Sequence, residues 1–145
     1  MSGGATVRVA RSFARGLPGY DAAAEAQRRI AGALFAEYRW FCADAPARLL
    51  AAGYGSGYLT RHLLSPRPAR LWLNDLAAPP LPGVAATYLP GDIAGVGLPG
   101  GLDLVASASM LQWVADPGLV LARLCAAVAP GGMLAVSSFA PGHFP

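Results

Sequence analysis

Between residues 21 and 40 (DAAAEAQRRIAGALFAEYRW), the apolar side chains of Ala26, Ile30, Ala33, Leu34 and Tyr38 recur at helical spacing in a segment rich in helix formers. The spacing predicts an amphipathic helix. Residues 48–52 (RLLAA) are a short apolar run ending at glycines, the pattern of a strand buried on both faces. Residues 70–75 (RLWLND) and 102–107 (LDLVAS) repeat it, and 84–89 (VAATYL) is a further strand reached through the Pro-rich crossover AAPPLPG. A short helix is expected over 58–64, stopping before Pro66 and Pro68, whose rings disfavour helical backbone. Asp116 followed by Pro117 is a helix start, a capping carboxylate and then a residue whose missing N–H is no loss in the first turn. Leu121, Leu124, Cys125 and Val128 line one face of that helix, which is expected to end at PGG (130–132) before a last strand over 133–139 (MLAVSSF).

Strands alternating with helices form βαβ units, so the predicted fold class is α/β: a doubly wound, mostly parallel sheet of five strands with helices on both faces. The 145 residues are expected to make a single domain, 1–145, with the helix at 21–40 preceding an α/β core over 47–140. Ligands in such sheets bind at the carboxyl ends of the strands, near the point where strand order reverses.

Composition narrows the picture. Apolar residues make up 54% of the chain and charged residues 13%, against a usual charged share of about 25%, which suggests apolar surface meant for a partner or a further segment. Every positive charge is an arginine, and Arg8, Arg11, Arg15, Arg28, Arg29 and Arg39 fall near the start. A net charge of +3 without a nucleic-acid motif argues against a nucleic-acid partner. There is neither a secretory apolar core nor a run of ~18 apolar residues, so a cytoplasmic protein with no membrane association is expected. Cys42, Cys125, His62 and His143 have no ligand-spaced partners, and no metal is expected.

The residues with chemical promise sit at strand ends. Gly53, Gly55 and Gly57 alternate between the first core strand and a helix, where glycine lets backbone approach a ligand. A dinucleotide fingerprint needs its third glycine where this chain has Tyr58, which weighs against a nicotinamide cofactor. Asp75, 18 residues beyond Gly57 and followed by Leu76, closes the next strand, where a carboxylate can accept both hydroxyls of a ribose. Asp92, in Gly91-Asp92-Ile93 after the third core strand, can accept from an adenine amino group while Ile93 packs on the ring. Taken singly, each Asp also reads as a solvated loop or capping residue.

In this order LLAAGYGSGYLTRHL, LNDLA, YLPGDI, DLVASASMLQWVADP and PGGMLAVSSF resemble the successive motifs of class I S-adenosylmethionine-dependent methyltransferases. Within that group, FARGLPGYDAAAEAQRR and Gln112-Trp113 are similar to the malonyl-acyl-carrier-protein O-methyltransferases of biotin synthesis. The resemblance runs over about residues 7–144 and implies a Rossmann-like fold, S-adenosyl-L-methionine as cofactor, and O-methylation of a malonyl-acyl-carrier-protein carboxylate. It implies that Gly53, Gly55 and Gly57 line the methionine part, Asp75 the ribose, Asp92 and Ile93 the adenine, that Leu76 also contacts the cofactor, and that Ser107 lies near the methionine amino group. Tyr20 and Gln27 would close the site from the N-terminal helix, and Tyr20, Gln112 and Trp113 are candidates for positioning the acceptor. No residue is assigned as a chemical catalyst. Acyl carrier proteins are acidic, and the N-terminal arginines would steer their docking.

The chain departs from the family pattern twice. Ala51 stands where relatives carry Glu or Asp, and relatives continue past the last predicted strand with elements that complete the sheet, whereas this chain stops at Pro145. Truncation leads to the expectation that strand 133–139 is an exposed edge prone to self-association. The alternative function is a non-catalytic cofactor-binding module or an inactive fragment of such an enzyme.

Overall fold

The run RLLAA is apolar at every position after its arginine because it is buried from both sides. Arg48–Ala52 forms the central strand β2, with Leu49 and Ala51 packed into one core layer and Leu50 and Ala52 into the other. The structure is a computed structural model and describes residues 6–13, 20–42, 45–55, 57–64, 67–108, 110–111 and 114–140. Element order is β1 (Thr6–Phe13), α1 (Tyr20–Phe41), β2 (Arg48–Ala52), α2 (Tyr58–His62), β3 (Arg70–Asp75), β4 (Thr87–Pro90), β5 (Leu102–Ala108), α3 (Pro117–Ala127) and β6 (Val128–Ala140).

The strands form one sheet in the order β1-β6-β5-β2-β3-β4, every pair parallel. From β2 the chain steps outward through β3 to β4, then returns to β5 on the other side of β2. The strand order therefore reverses between β2 and β5, which opens a crevice at their carboxyl ends. One face of the sheet carries Ala31, Leu34 and Tyr38 of α1 with Leu59 of α2, and the other carries Val120, Leu124 and Ala127 of α3. The doubly wound α/β class is as expected. No helix among the described residues is long and apolar enough to cross a membrane.

β2 and β3 begin and end where the sequence pattern places them, and α3 starts at Pro117 with the Asp116 carboxylate accepting from the Leu119 N–H at 3.0 Å. Four expectations change. The N-terminal segment contributes a strand, β1, paired along its whole length with β6 from Thr6↔Met133 to Phe13↔Ala140. Residues 133–139 are consequently interior, flanked by β5 and β1, and the edges of the sheet are β1 and β4. The strand expected over 84–89 is only Thr87–Pro90, because Val84 is held in a turn: its N–H donates to the Leu81 carbonyl, and its own carbonyl accepts from the Tyr88 hydroxyl. Finally, α3 ends at Ala127 rather than at the glycines, and β6 runs through them with a register shift between Leu102 and Leu104. Gly132 allows this close passage, since a Cβ there would lie 2.8 Å from the Leu102 carbonyl oxygen.

The helix faces shift as well. In α1 the buried positions are Ala24, Ile30, Ala31, Leu34 and Tyr38, whereas Ala33 faces solvent. In α3 the fully buried stripe is Val120, Leu124 and Ala127, with Leu121 and Cys125 packed at its margin.

Candidate functional site

Each strand that ends at the crevice delivers a loop to it, and these loops enclose a cavity of about 650 Å³. β2 turns sharply at Gly53 (φ 66°) because the N–H groups of Gly53 and Tyr54 both donate to the Asn74 carbonyl on β3, at 2.7 and 3.1 Å. No side chain but hydrogen fits at Gly53 without displacing Met110, whose Cγ would lie 2.8 Å from an added Cβ. Gly55 (φ 53°) has open space around it. Gly57 (φ 84°) caps α2, and a Cβ there would lie 2.8 Å from Leu81. The alternating glycines thus serve two purposes: Gly53 and Gly55 expose backbone to the cavity, and Gly57 lets α2 start beneath Leu81.

Asp75 closes β3 and is held on both oxygens. Oδ2 accepts from the Gly55 N–H at 2.9 Å, and Oδ1 accepts from the N–H groups of Ala77 and Ala78 at 3.1 and 3.0 Å. A carboxylate has about four acceptor sites, so these three bonds fix its orientation and leave about one, on Oδ2, for a ligand. Leu76 beside it is 74% exposed at the rim of the cavity. Tyr54 braces the segment that follows, its hydroxyl 2.9 Å from both the Ala78 and the Pro79 carbonyl oxygens. Burial, then the negative charge of Asp75, then Tyr88 raise the Tyr54 phenol above its ordinary value of 10.0.

The far end of the cavity is made after β4. Asp92 accepts from the Ala94 N–H at 2.9 Å, and its carbonyl accepts from Gly95 and Val96, which curls the chain so that Ile93 is buried on the cavity wall. The Arg123 guanidinium on α3 donates to the carbonyls of Ile93 and Val96 and ties this turn to the helix layer. Gln27 and Ala31 of α1, Tyr58 and Thr60 of α2, Ala106 and Ala108 of β5, and Asp116 and Leu119 at the start of α3 complete the lining.

Of the residues singled out from sequence, Gly53, Gly55, Asp75, Leu76, Asp92, Ile93 and Gln27 converge on this cavity. Gly57 and Ser107 do not line it. Ser107 is 1% exposed with its hydroxyl unpartnered, while its neighbours Ala106 and Ala108 face the cavity, as strand alternation requires. Gln112 and Trp113 lie outside the described residues, as does the side chain of Tyr20. Sequence reasoning missed Asn74, which is 1% exposed and lines the cavity; a polar residue inside an otherwise apolar strand was the signal, because such a group must find partners.

Comparison with known proteins supports the same reading of the fold. Residues 50–136 match the family described as methyltransferase domain. The chain is 35% identical to the malonyl-[acyl-carrier protein] O-methyltransferase of Chlorobium phaeovibrioides, covering 93% of this chain and 57% of that protein. It is 36% identical to the Serratia marcescens protein of the same name, covering 92% of this chain and 53% of that one. The chain spans about half the length of the curated relatives it matches. Among solved structures, CalS10, an amino pentose methyltransferase from Micromonospora echinaspora, overlays with a TM-score of 0.59 at 24% identity over 85% of this chain and 58% of that one. The plantazolicin methyltransferase BpumL overlays with a TM-score of 0.61 at 18% identity over 75% of this chain and 46% of that one. These overlays speak to the fold.

Proposed function

Because this chain belongs to the methyltransferase-domain family, we propose that its crevice binds S-adenosyl-L-methionine and that the protein transfers the methyl group, in the cytoplasm, to the free carboxylate of a malonyl group carried by acyl carrier protein. The observation that carries this reading is the sequence of functional groups along one cavity: exposed glycine backbone at Gly53 and Gly55, the oriented carboxylate of Asp75 in the middle, and Asp92 with Ile93 at the far end. That order suits a ligand with a methionine end, a ribose and an adenine. The fit is also steric, since the φ values of Gly53 and Gly55 and the small side chains of Ala51, Ala52, Ala106 and Ala108 keep the cavity wall low.

When bound, S-adenosyl-L-methionine supplies a methyl group on a sulfonium, and a carboxylate acceptor, ionised near neutral pH, needs no general base to take it. The chain's own work is therefore positional. In this reading Asp75 accepts from a ribose hydroxyl on its free Oδ2 site, Asp92 accepts from the adenine amino group, and Ile93 packs on the ring. Holding two reactants in line is worth ~7–11 kcal/mol of barrier. Gln27 closes the cavity from α1, and Tyr20, Gln112 and Trp113 are proposed to position the acceptor; Ser107, buried behind the wall, is not given a direct contact.

Calorimetric titration of S-adenosylhomocysteine tests the cofactor site, with Asp75→Ala as the specific control. Micromolar binding that weakens at least tenfold in the variant is the expected result, and a folded chain that does not bind refutes the proposal. A second reading has an observation in its favour: Ala51, 2% exposed on the cavity wall, offers no carboxylate to the methionine end. Under that reading the chain binds the cofactor without turnover. Methyl transfer to a malonyl carrier, followed by mass spectrometry, separates the two.

A further inference from the structure

Asn74 is the point at which the loops of the cavity are joined to one another. It is the fifth residue of β3 and 1% exposed, and its side-chain amide donates to the Leu89 carbonyl at 2.8 Å and to the Gly91 carbonyl at 3.1 Å. The β3–β4 pairing ends at Asp75↔Pro90, and Pro90 has no N–H to extend it. The turn that presents Asp92 is thus held to β3 by this amide, together with the Gly91 N–H that donates to the Asp75 carbonyl at 3.1 Å. On its main chain, Asn74 accepts from Gly53 and Tyr54 and so holds the glycine turn.

We infer that Asn74 is a positioning residue for adenine recognition: its buried amide fixes the Leu89 and Gly91 carbonyls and thereby sets where Asp92 and Ile93 meet the ring. The inference rests on the reading of the cavity as an S-adenosyl-L-methionine site. It makes a separable statement, because the two roles of Asn74 belong to different atoms. Any residue at position 74 keeps the main-chain carbonyl that holds Gly53 and Tyr54. Only the side chain reaches the adenine end, so losing it loosens the turn that carries Asp92 and Ile93, which the Gly91 N–H and Arg123 still tether, and leaves the glycine turn in place. Loss of the amide also leaves two partly buried carbonyls without their donor, which favours a displaced turn that meets water.

The test compares two ligands on the unsubstituted chain, Asn74→Leu and Asn74→Asp by calorimetric titration, with near-ultraviolet circular dichroism to verify folding. One ligand is S-adenosylhomocysteine; the other is its inosine counterpart, which has an oxo group where Asp92 would accept from an amine. The unsubstituted chain is expected to prefer the adenine ligand, and each variant to lose about tenfold on it and clearly less on the inosine ligand, which shares only the Ile93 packing, so that discrimination narrows. Equal losses on both ligands mark a merely structural residue and overturn the inference, as does undiminished discrimination. Should the variants not fold, the side-chain amide protons of Asn74 in the unsubstituted chain decide by nuclear magnetic resonance. They are expected to shift on adding adenosine and not on adding methionine, and protons unmoved by adenosine overturn it. Failure of the unsubstituted chain to bind either ligand is a different outcome, which refutes the cofactor reading and this inference with it.

Discussion

At Gly57 and Gly55 the backbone is left-handed in both cases, yet the surroundings differ. Gly57 faces Leu81 and Gly55 faces open space. Gly57→Ala adds steric displacement of a buried leucine to backbone strain and is expected to cost about 1–3 kcal/mol, against roughly 1 kcal/mol for Gly55→Ala, where strain acts alone. Urea unfolding of the two variants side by side checks the order; equal losses would show that Leu81 yields freely. Tyr54 makes a prediction about pH. Its phenol is raised above 10.0 by burial first and by Asp75 second, so the folded chain holds the proton more tightly than the unfolded chain. The resulting stabilisation is fully present below pH 10.0 and is lost as pH rises through the raised value. Tyr54→Phe should therefore lower stability near neutrality, by losing the hydroxyl's bond to the Ala78 and Pro79 carbonyls, and should lose less than the parent above pH 10.0. Stability curves of both proteins from pH 8 to pH 11 decide it.

Among the elements, α3 shows how a local signal and a tertiary one divide the work. Its start is set by Asp116, whose side chain accepts from Leu119, with Pro117 in the first turn. Asp116→Ala removes that bond and is expected to cost about 1 kcal/mol by thermal or denaturant unfolding. Because Asp116 also lines the cavity, the same variant reports whether the cap contributes to ligand affinity. The end of α3 has no such local cause. The helix stops at Ala127 because Val128 already pairs with Leu102 on β5, and sheet pairing takes precedence over the glycine stop that follows.

For the whole molecule, the placement of β1 changes what surface is exposed. Pairing with Thr6–Phe13 turns β6 from an edge into an interior strand. Removing residues 1–13 is therefore expected to expose the main-chain donors and acceptors of β6 and to produce concentration-dependent self-association in sedimentation beyond any shown by the intact chain. A monodisperse shortened chain would show that another segment covers β6. What the sequence alone determined is local or periodic: the bounds of β2 and β3 follow from runs apolar on both faces, the start of α3 from its cap, and the α/β class from the alternation of strands and helices. The carboxylates at strand ends were legible for the same reason, since parallel sheets bind ligands there, and Asp75 closes β3 while Asp92 follows two residues after β4. Tertiary structure decided the rest. Whether TVRVARSF pairs with a strand more than a hundred residues away, whether Ser107 or Ala108 faces the cavity, and what Asn74 holds all depend on register and partners distant in sequence. A strand's own residues state that it must be buried and paired; only its neighbours state with what.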